Sequence, residues 1–152
     1  MSRIKIKLPE FFHFTTEIPV RINDLNYGGH VGNDSFLSII QEARVRFLKS
    51  LGYTEIDIEG VGIIMVDSLI NYLRECFYGD VLIIDISVSN FDERGCDFFY
   101  RITKKSDKSP VVNAKTGILF YDYQKNIKAA TPVAFKTRIL EIEKSMNKRD
   151  TN

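Results

Sequence analysis

The chain has 152 residues, 44% of them hydrophobic and 12% aromatic, which suits one domain with a substantial core and excludes disorder for most of its length. Its 21 basic and 20 acidic residues leave a formal charge of +1, so no broad electrostatic footprint for nucleic acid or a membrane is expected. Cys76 and Cys96 form no Cys-x-x-Cys pair, and His13 and His30 have no partner at ligand spacing, so we expect free thiols in a reducing compartment and no bound metal or other cofactor. The first residues alternate charged and apolar side chains without building a signal core, and no apolar run reaches the length of a membrane span. These features predict a soluble cytoplasmic protein.

In chain order, residues 14–22 place Phe14, Thr16, Ile18, Val20 and Ile22 on alternate positions, the period of a strand with one buried face. A glycine-rich stretch follows and runs into a helix predicted to start at Asn33 or Asp34, with one of these as its cap. Phe36, Leu37, Ile39, Ile40, Ala43, Phe47, Leu48 and Leu51 cover more than half of its circumference, so this helix is expected to be wrapped by the rest of the chain up to its stop at Gly52. Past a loop over 53–60 the period becomes two and stays there. Strands are predicted over 61–73, 81–89, about 96–104 and 111–123, separated by turns at Tyr78-Gly79-Asp80, Glu93-Arg94-Gly95 and the polar segment 104–110. Thr131-Pro132 has the form of a cap followed by a first-turn proline, opening a terminal helix to about Met146. One strand, one long helix and four further strands predict an α+β fold in which an antiparallel sheet curls round a central helix.

Chemistry is most concentrated between Asp24 and Phe36, where three glycines, an imidazole, carboxylates and carboxamides precede the helix. Glycine permits close backbone approaches, and a helix N-terminus directs unpaired N–H groups and its positive dipole end at the turn before it. That arrangement suits an oxyanion or a polarised carbonyl.

The run Asp24-Leu25-Asn26-Tyr27-Gly28-Gly29-His30-Val31-Gly32-Asn33, followed by Glu42-Ala43-Arg44, resembles the signature of hotdog-fold thioesterases of the 4-hydroxybenzoyl-CoA thioesterase type. Asn71-Tyr72-Leu73, Tyr78-Gly79-Asp80 and the segment from Ile118 to Asp122 resemble the strand and turn landmarks of that family. The resemblance covers about residues 14 to 135 and implies a five-stranded sheet round the helix and edge-to-edge assembly into a homodimer or homotetramer. It further implies active sites at the dimer interface that take an acyl-CoA, with coenzyme A as part of substrate and product. One departure matters. The family commonly carries an aspartate, as nucleophile or as base towards water, at the position held here by Asn26. In the related plant acyl-carrier-protein thioesterase pattern, the catalytic Asp and Asn positions fall on Asn26 and Gly28.

Each candidate therefore keeps two readings. Asp24 is the nearest retained carboxylate; it either activates water or caps the turn. Asn26 either positions water or the thioester carbonyl, or tolerates an unusual turn geometry. Imidazole exchanges protons near neutrality, so His30 can act as base, acid or carbonyl donor, or serve as a hydrogen-bonded structural residue. The resemblance places the carbonyl-binding amide at Asn33, and Tyr27, Gly28, Gly29 and Gly32 are the expected substrate-binding residues beside it. Glu42 has Arg46 four residues on and reads as a surface ion pair, or as a general base if the helix encloses it. Asp67 is expected at an interface or in solvent, and the two cysteines are expected to pack. The function expected from these residues is acyl-CoA thioester hydrolysis. Two alternatives are a non-catalytic acyl-CoA binding or sensing protein, favoured by Asn26, and a dehydratase or hydratase pairing His30 with Glu42, whose own motif is absent.

Overall fold

The computed structural model describes residues 2–152. Strands β1 (Phe14–Pro19), β2 (Gly62–Tyr72), β3 (Val81–Ser89), β4 (Gly95–Lys104), β5 (Pro110–Asp122) and the two-residue β6 (Ile127–Lys128) form one sheet, joined by helices α1 (Ser35–Ser50) and α2 (Val133–Asp150). The order across the sheet is β1-β3-β4-β5-β2, every pair antiparallel, with β6 attached to β5. The five expected strands are present and β6 is an addition.

Register explains the core. Ile86 lies opposite Tyr100, and Tyr100 opposite Ala114, so alternate residues of the three central strands share one face. Ile84, Ile86, Val88, Phe98, Tyr100, Ile102, Ala114 and Phe120 on that face are all buried. Against it lies α1, which buries Phe36, Ile39, Ile40, Ala43, Arg44, Phe47 and Leu48, a stripe repeating every three or four residues. Ala43 is fully buried, and its small side chain lets the helix approach the sheet closely. Replacing an aromatic such as Phe47 by alanine here would cost about 3–5 kcal/mol.

The helix is not wrapped on all sides, as its composition suggested. Leu37 and Val45 remain 47% and 41% exposed, and Ser38, Gln41, Glu42 and Lys49 share their open face. The sheet has only enough width to cover one face of α1. The helix ends where Gly52 takes a positive φ of 82°, with its N–H on the Lys49 carbonyl and that of Tyr53 on Leu48.

Three boundaries differ from the sequence reading: α2 runs past Met146 to Asp150, and the other two have a local cause. β1 stops at Pro19, and Ile22–Asp24 form a 3-10 turn because the Asp24 carboxylate accepts from the Arg21 N–H and draws the chain round. At α2, Pro132 rather than Thr131 holds the cap position, and the Thr131 hydroxyl donates instead to the Asp92 carbonyl. That helix docks through Phe135, whose ring packs on Tyr53, Phe91 and Phe120. Arg138 donates to the Leu51 carbonyl, and Glu143 meets His13 at 2.8 Å. No helix among the described residues is long and apolar enough to cross a membrane.

Candidate active site at the mouth of the long helix

The glycine-rich stretch folds as a small doubled-back loop. The Asn26 N–H bonds to the His30 carbonyl at 2.9 Å and the Gly32 N–H to the Asp24 carbonyl at 3.0 Å. Val31 donates to the Cys76 carbonyl at 2.9 Å, anchoring the loop on the turn before β3. Two glycines shape the loop in different ways. Gly29 has φ of 79° and open space where a side chain would stand, so it serves the turn. Gly32 has no such strain, but a Cβ there would sit 2.5 Å from Asp34 Oδ1, so its bare α carbon makes room for a carboxylate.

Asp24 is 3% exposed, and its two oxygens accept from the Arg21 N–H at 2.8 Å and the Arg21 guanidinium at 3.2 Å. Its carboxylate is thus committed to closing the 3-10 turn. Asn26 accepts the Gly28 N–H on Oδ1 at 2.8 Å, a side-chain turn of the kind asparagine favours. Tyr27 is fully exposed at the tip of the loop. His30 places Nδ1 3.3 Å from the Val31 carbonyl and Nε2 3.8 Å from the Glu75 carboxylate, with its ring edge-on to Phe77. Nε2 also lies on the Asn26 side, since a Cβ on Gly28 would meet both Asn26 Oδ1 at 3.2 Å and His30 Nε2 at 3.3 Å.

The helix starts two residues after Asn33, just before the cap, and the Asn33 N–H has no acceptor among the described residues. Neither Asn33 nor Asp34 provides the expected side-chain cap; Asp34 holds the cap position with its carboxylate turned back over Gly32. Asn33 lines a cleft of 270 Å³ together with His30, Val31, Phe36, Tyr72 and the segment Leu73 to Glu75. Tyr72 donates its hydroxyl to the Asn33 carbonyl at 3.0 Å while its ring packs on Phe36. Burial, with the Asp34 charge nearby, holds the Tyr72 hydroxyl above the usual phenol range, so it stays a donor.

Glu42 is not brought to this cleft. It pairs with Arg46 at 2.9 Å, half exposed, and Arg46 goes on to the Thr16 hydroxyl and the Glu17 carbonyl. Glu42 lines a separate groove of 520 Å³ between α1 and β1, which also holds Ile18, Arg21 and Val45. The neighbouring Arg44 is 5% exposed, donating to Glu55 at 2.6 Å and to the Tyr100 hydroxyl at 2.9 Å, and Tyr100 in turn meets Thr116. Arg44 therefore holds the 53–60 loop and α1 to the sheet. Asp67 faces away from α1, pairs with Lys115 at 2.8 Å and accepts the Gly117 N–H, through a bulge between Met65 and Asp67. Lys115 lowers its pKa, the largest of several causes. Both cysteines are buried; burial pushes the Cys76 thiol up to about 11 and Cys96 still higher, so both pack as neutral thiols.

The sequence reading missed Tyr72, Arg74 and Glu75 as lining of this cleft, and Asp34, whose carboxylate stands over Gly32 beside that lining. Tyr72 and its neighbours come from the far end of β2, and nothing in spacing says that this strand end meets the helix mouth. The Gly32–Asp34 spacing was the one local signal.

A six-stranded antiparallel sheet with one long helix on its face and a polar, glycine-rich loop at the mouth of that helix is the hotdog architecture. The sequence profile of the thioesterase-like superfamily matches residues 20–146, and the chain belongs to that superfamily, a group of thioester hydrolases. A 1,4-dihydroxy-2-naphthoyl-CoA thioesterase from Synechocystis superposes with a TM-score of 0.76 at 21% identity, covering 86% of this chain and 97% of its own. A hypothetical protein from Staphylococcus aureus, solved in complex with CoA, gives 0.77 at 19% identity, covering 92% and 89%. A thioesterase from Thermus thermophilus complexed with coenzyme A and Zn gives 0.73 at 21% identity, covering 89% and 97%. These likenesses show the fold. No curated protein matches the sequence.

Proposed function

We propose that this chain hydrolyses an acyl-CoA thioester to a free acid and coenzyme A. The observation that carries the reading is the free N–H of Asn33 at the mouth of α1, bordering a cleft lined by Phe36, Tyr72 and His30, in a chain of the thioesterase-like superfamily. The thioester oxygen accepts from that N–H and from the positive end of the helix. A preorganised donor of this kind is worth on the order of 3 kcal/mol of barrier. His30 lies within reach as a proton donor towards the oxyanion or the leaving sulfur, while Asn26 and the surface of Tyr27, Gly28, Gly29 and Gly32 position water and acyl group. CoA-bound relatives of the same fold support coenzyme A as the carrier.

We further propose that two copies pair along β2. This strand is an edge of the sheet, met by residues 4–6 at its Asn71 end but open at Met65 and Val66, which are 36% and 53% exposed, and an open apolar edge is a template for another strand. Such pairing would bring the cleft to the seam, because its wall from Tyr72 to Glu75 continues directly from β2.

A second reading has one observation in its favour. The carbonyl oxygen of Asn26 is occupied by its own turn, and no carboxylate replaces it at that position, which suits a protein that binds acyl-CoA without cleaving it. Measuring thiol release from a panel of acyl-CoAs, alongside equilibrium binding of the same compounds, separates the two. Hydrolysis predicts turnover with at least one member and a strong loss in His30→Ala; micromolar binding with no thiol released would support the second reading instead. Asp24→Asn and Glu42→Gln in the same assay test the remaining carboxylates.

A further inference from the structure

The loop leaves hydrolysis without an obvious base. Asp24 is consumed by Arg21, Glu42 by Arg46 in another groove, and position 26 carries a carboxamide. Both ring nitrogens of His30 face acceptors, the Val31 carbonyl and the Glu75 carboxylate, surroundings that suit a proton donor. Of the two carboxylates left, Glu75 is largely exposed and stands beside the imidazole, 3.8 Å from His30 Nε2, while Asp34 lies on the Asn26 side of the loop.

We propose that Asp34 is the general base of this site, supplying from the helix side the carboxylate that position 26 lacks. The proposal rests on the hydrolase reading above. Its geometric ground is the shared volume over Gly32. A Cβ on Gly32 would lie 2.5 Å from Asp34 Oδ1 and 3.5 Å from Asn26 Cβ, so the Asp34 carboxylate stands across a bare α carbon from the Asn26 side chain. It adjoins Asn33, whose free N–H is the proposed carbonyl donor. Although Asp34 occupies the cap position of α1, its side chain makes no cap hydrogen bond, and it forms no ion pair among the described residues. The carboxylate is exposed and neither caps nor pairs, so its lone pairs are open to a water molecule. Tyr72, bonded to the Asn33 carbonyl, fixes the turn that presents it.

In the step this assigns, Asp34 takes a proton from water as the water oxygen bonds to the thioester carbon, and the carbonyl oxygen gains negative charge at the Asn33 N–H. Collapse of that intermediate breaks the carbon–sulfur bond. The sulfur leaves with the bonding pair and receives a proton from His30 or from protonated Asp34, giving free acid and the coenzyme A thiol.

The test uses the full chain in three forms, wild type, Asp34→Asn and Gly32→Ala, assayed with the best acyl-CoA and with a non-cleavable thioether analogue as a binding probe. Asp34→Asn keeps size and polarity but cannot accept a proton, and kcat should fall by about 10²-fold or more. KM and thioether affinity should stay within about threefold of wild type. Gly32→Ala needs no backbone change, since Gly32 is not in the left-handed region, but its methyl pushes the Asp34 carboxylate aside and should lower kcat in the same manner. Asp34→Glu should recover part of the rate, which a helix-stabilising role alone would not produce. An active wild type with full kcat in Asp34→Asn overturns this assignment and leaves the hydrolase reading standing. A wild type that releases no thiol from any acyl-CoA overturns both.

Discussion

The Tyr72 hydroxyl donates to the Asn33 carbonyl at 3.0 Å, tying the end of edge strand β2 to the mouth of α1. This bond links the strand proposed to meet a second copy with the amide proposed to meet the substrate. Tyr72→Phe removes it while keeping the ring on Phe36. Stability should drop by only about 0.5–1.5 kcal/mol, because the freed carbonyl can turn to water. Activity should fall several-fold through kcat, with KM little changed; parallel denaturation and steady-state kinetics check both.

Arg44 is the structural centre of the helix–sheet contact. Arg44→Met removes the guanidinium from between Glu55 and the Tyr100 hydroxyl and leaves a part-buried carboxylate without its main partner. Breaking a buried pair from one side costs about 3–5 kcal/mol, a large share of the 5–15 kcal/mol typical of a domain. Urea unfolding should show a lowered midpoint, and the double variant Arg44→Met with Glu55→Gln should recover part of the loss.

His13 gives folding a pH dependence. Its Nδ1 accepts the Val88 N–H at 3.1 Å, so the folded ring carries its proton on Nε2, towards Glu143. Burial lowers its pKa below 6.5, against the opposing pull of Glu143. As pH falls the unfolded chain therefore takes up a proton before the folded one does. The contribution is complete above pH 6.5 and is lost as pH drops through that value towards the lower folded pKa. Unfolding free energies measured between pH 8 and pH 5 should decline below about 6.5, and His13→Gln should flatten that decline.

The β2 edge can be tested by charge. Met65→Lys with Val66→Lys places two cations on the exposed stretch of this strand and should convert an edge-paired dimer to monomer. Sedimentation equilibrium reads the result. An unchanged mass, whether monomeric or dimeric in both forms, would contradict pairing through β2.

Much of this fold was legible in the sequence. The alternation over β3, β4 and β5 gave their buried faces, and the three-and-four spacing from Phe36 to Leu48 gave the helix stripe, because both patterns reflect one face meeting a core. What failed was non-local or decided by a single side chain. Leu37 was counted with the core, yet the sheet does not reach round to it. Ile22 continued the strand alternation, but the Asp24 carboxylate bends the chain before it. At the site, the glycine turn before the helix was legible in local chemistry, while Asn33 was singled out by the family resemblance. The opposing wall from Tyr72 to Glu75 arrives from a distant strand end, which periodicity does not register. Arg44 appeared as one residue of a signature; only packing shows that it is a buried structural cation.

The central claim is that the Asn33 N–H receives the acyl carbonyl, and the most direct measurement is the amide spectrum of 15N-labelled protein titrated with an acyl-CoA analogue in which a ketone replaces the thioester. The Asn33 amide proton should move downfield on saturation, with smaller shifts at His30, Phe36 and Tyr72 lining the same cleft. An Asn33 resonance that stays in place while the analogue saturates elsewhere would contradict the account.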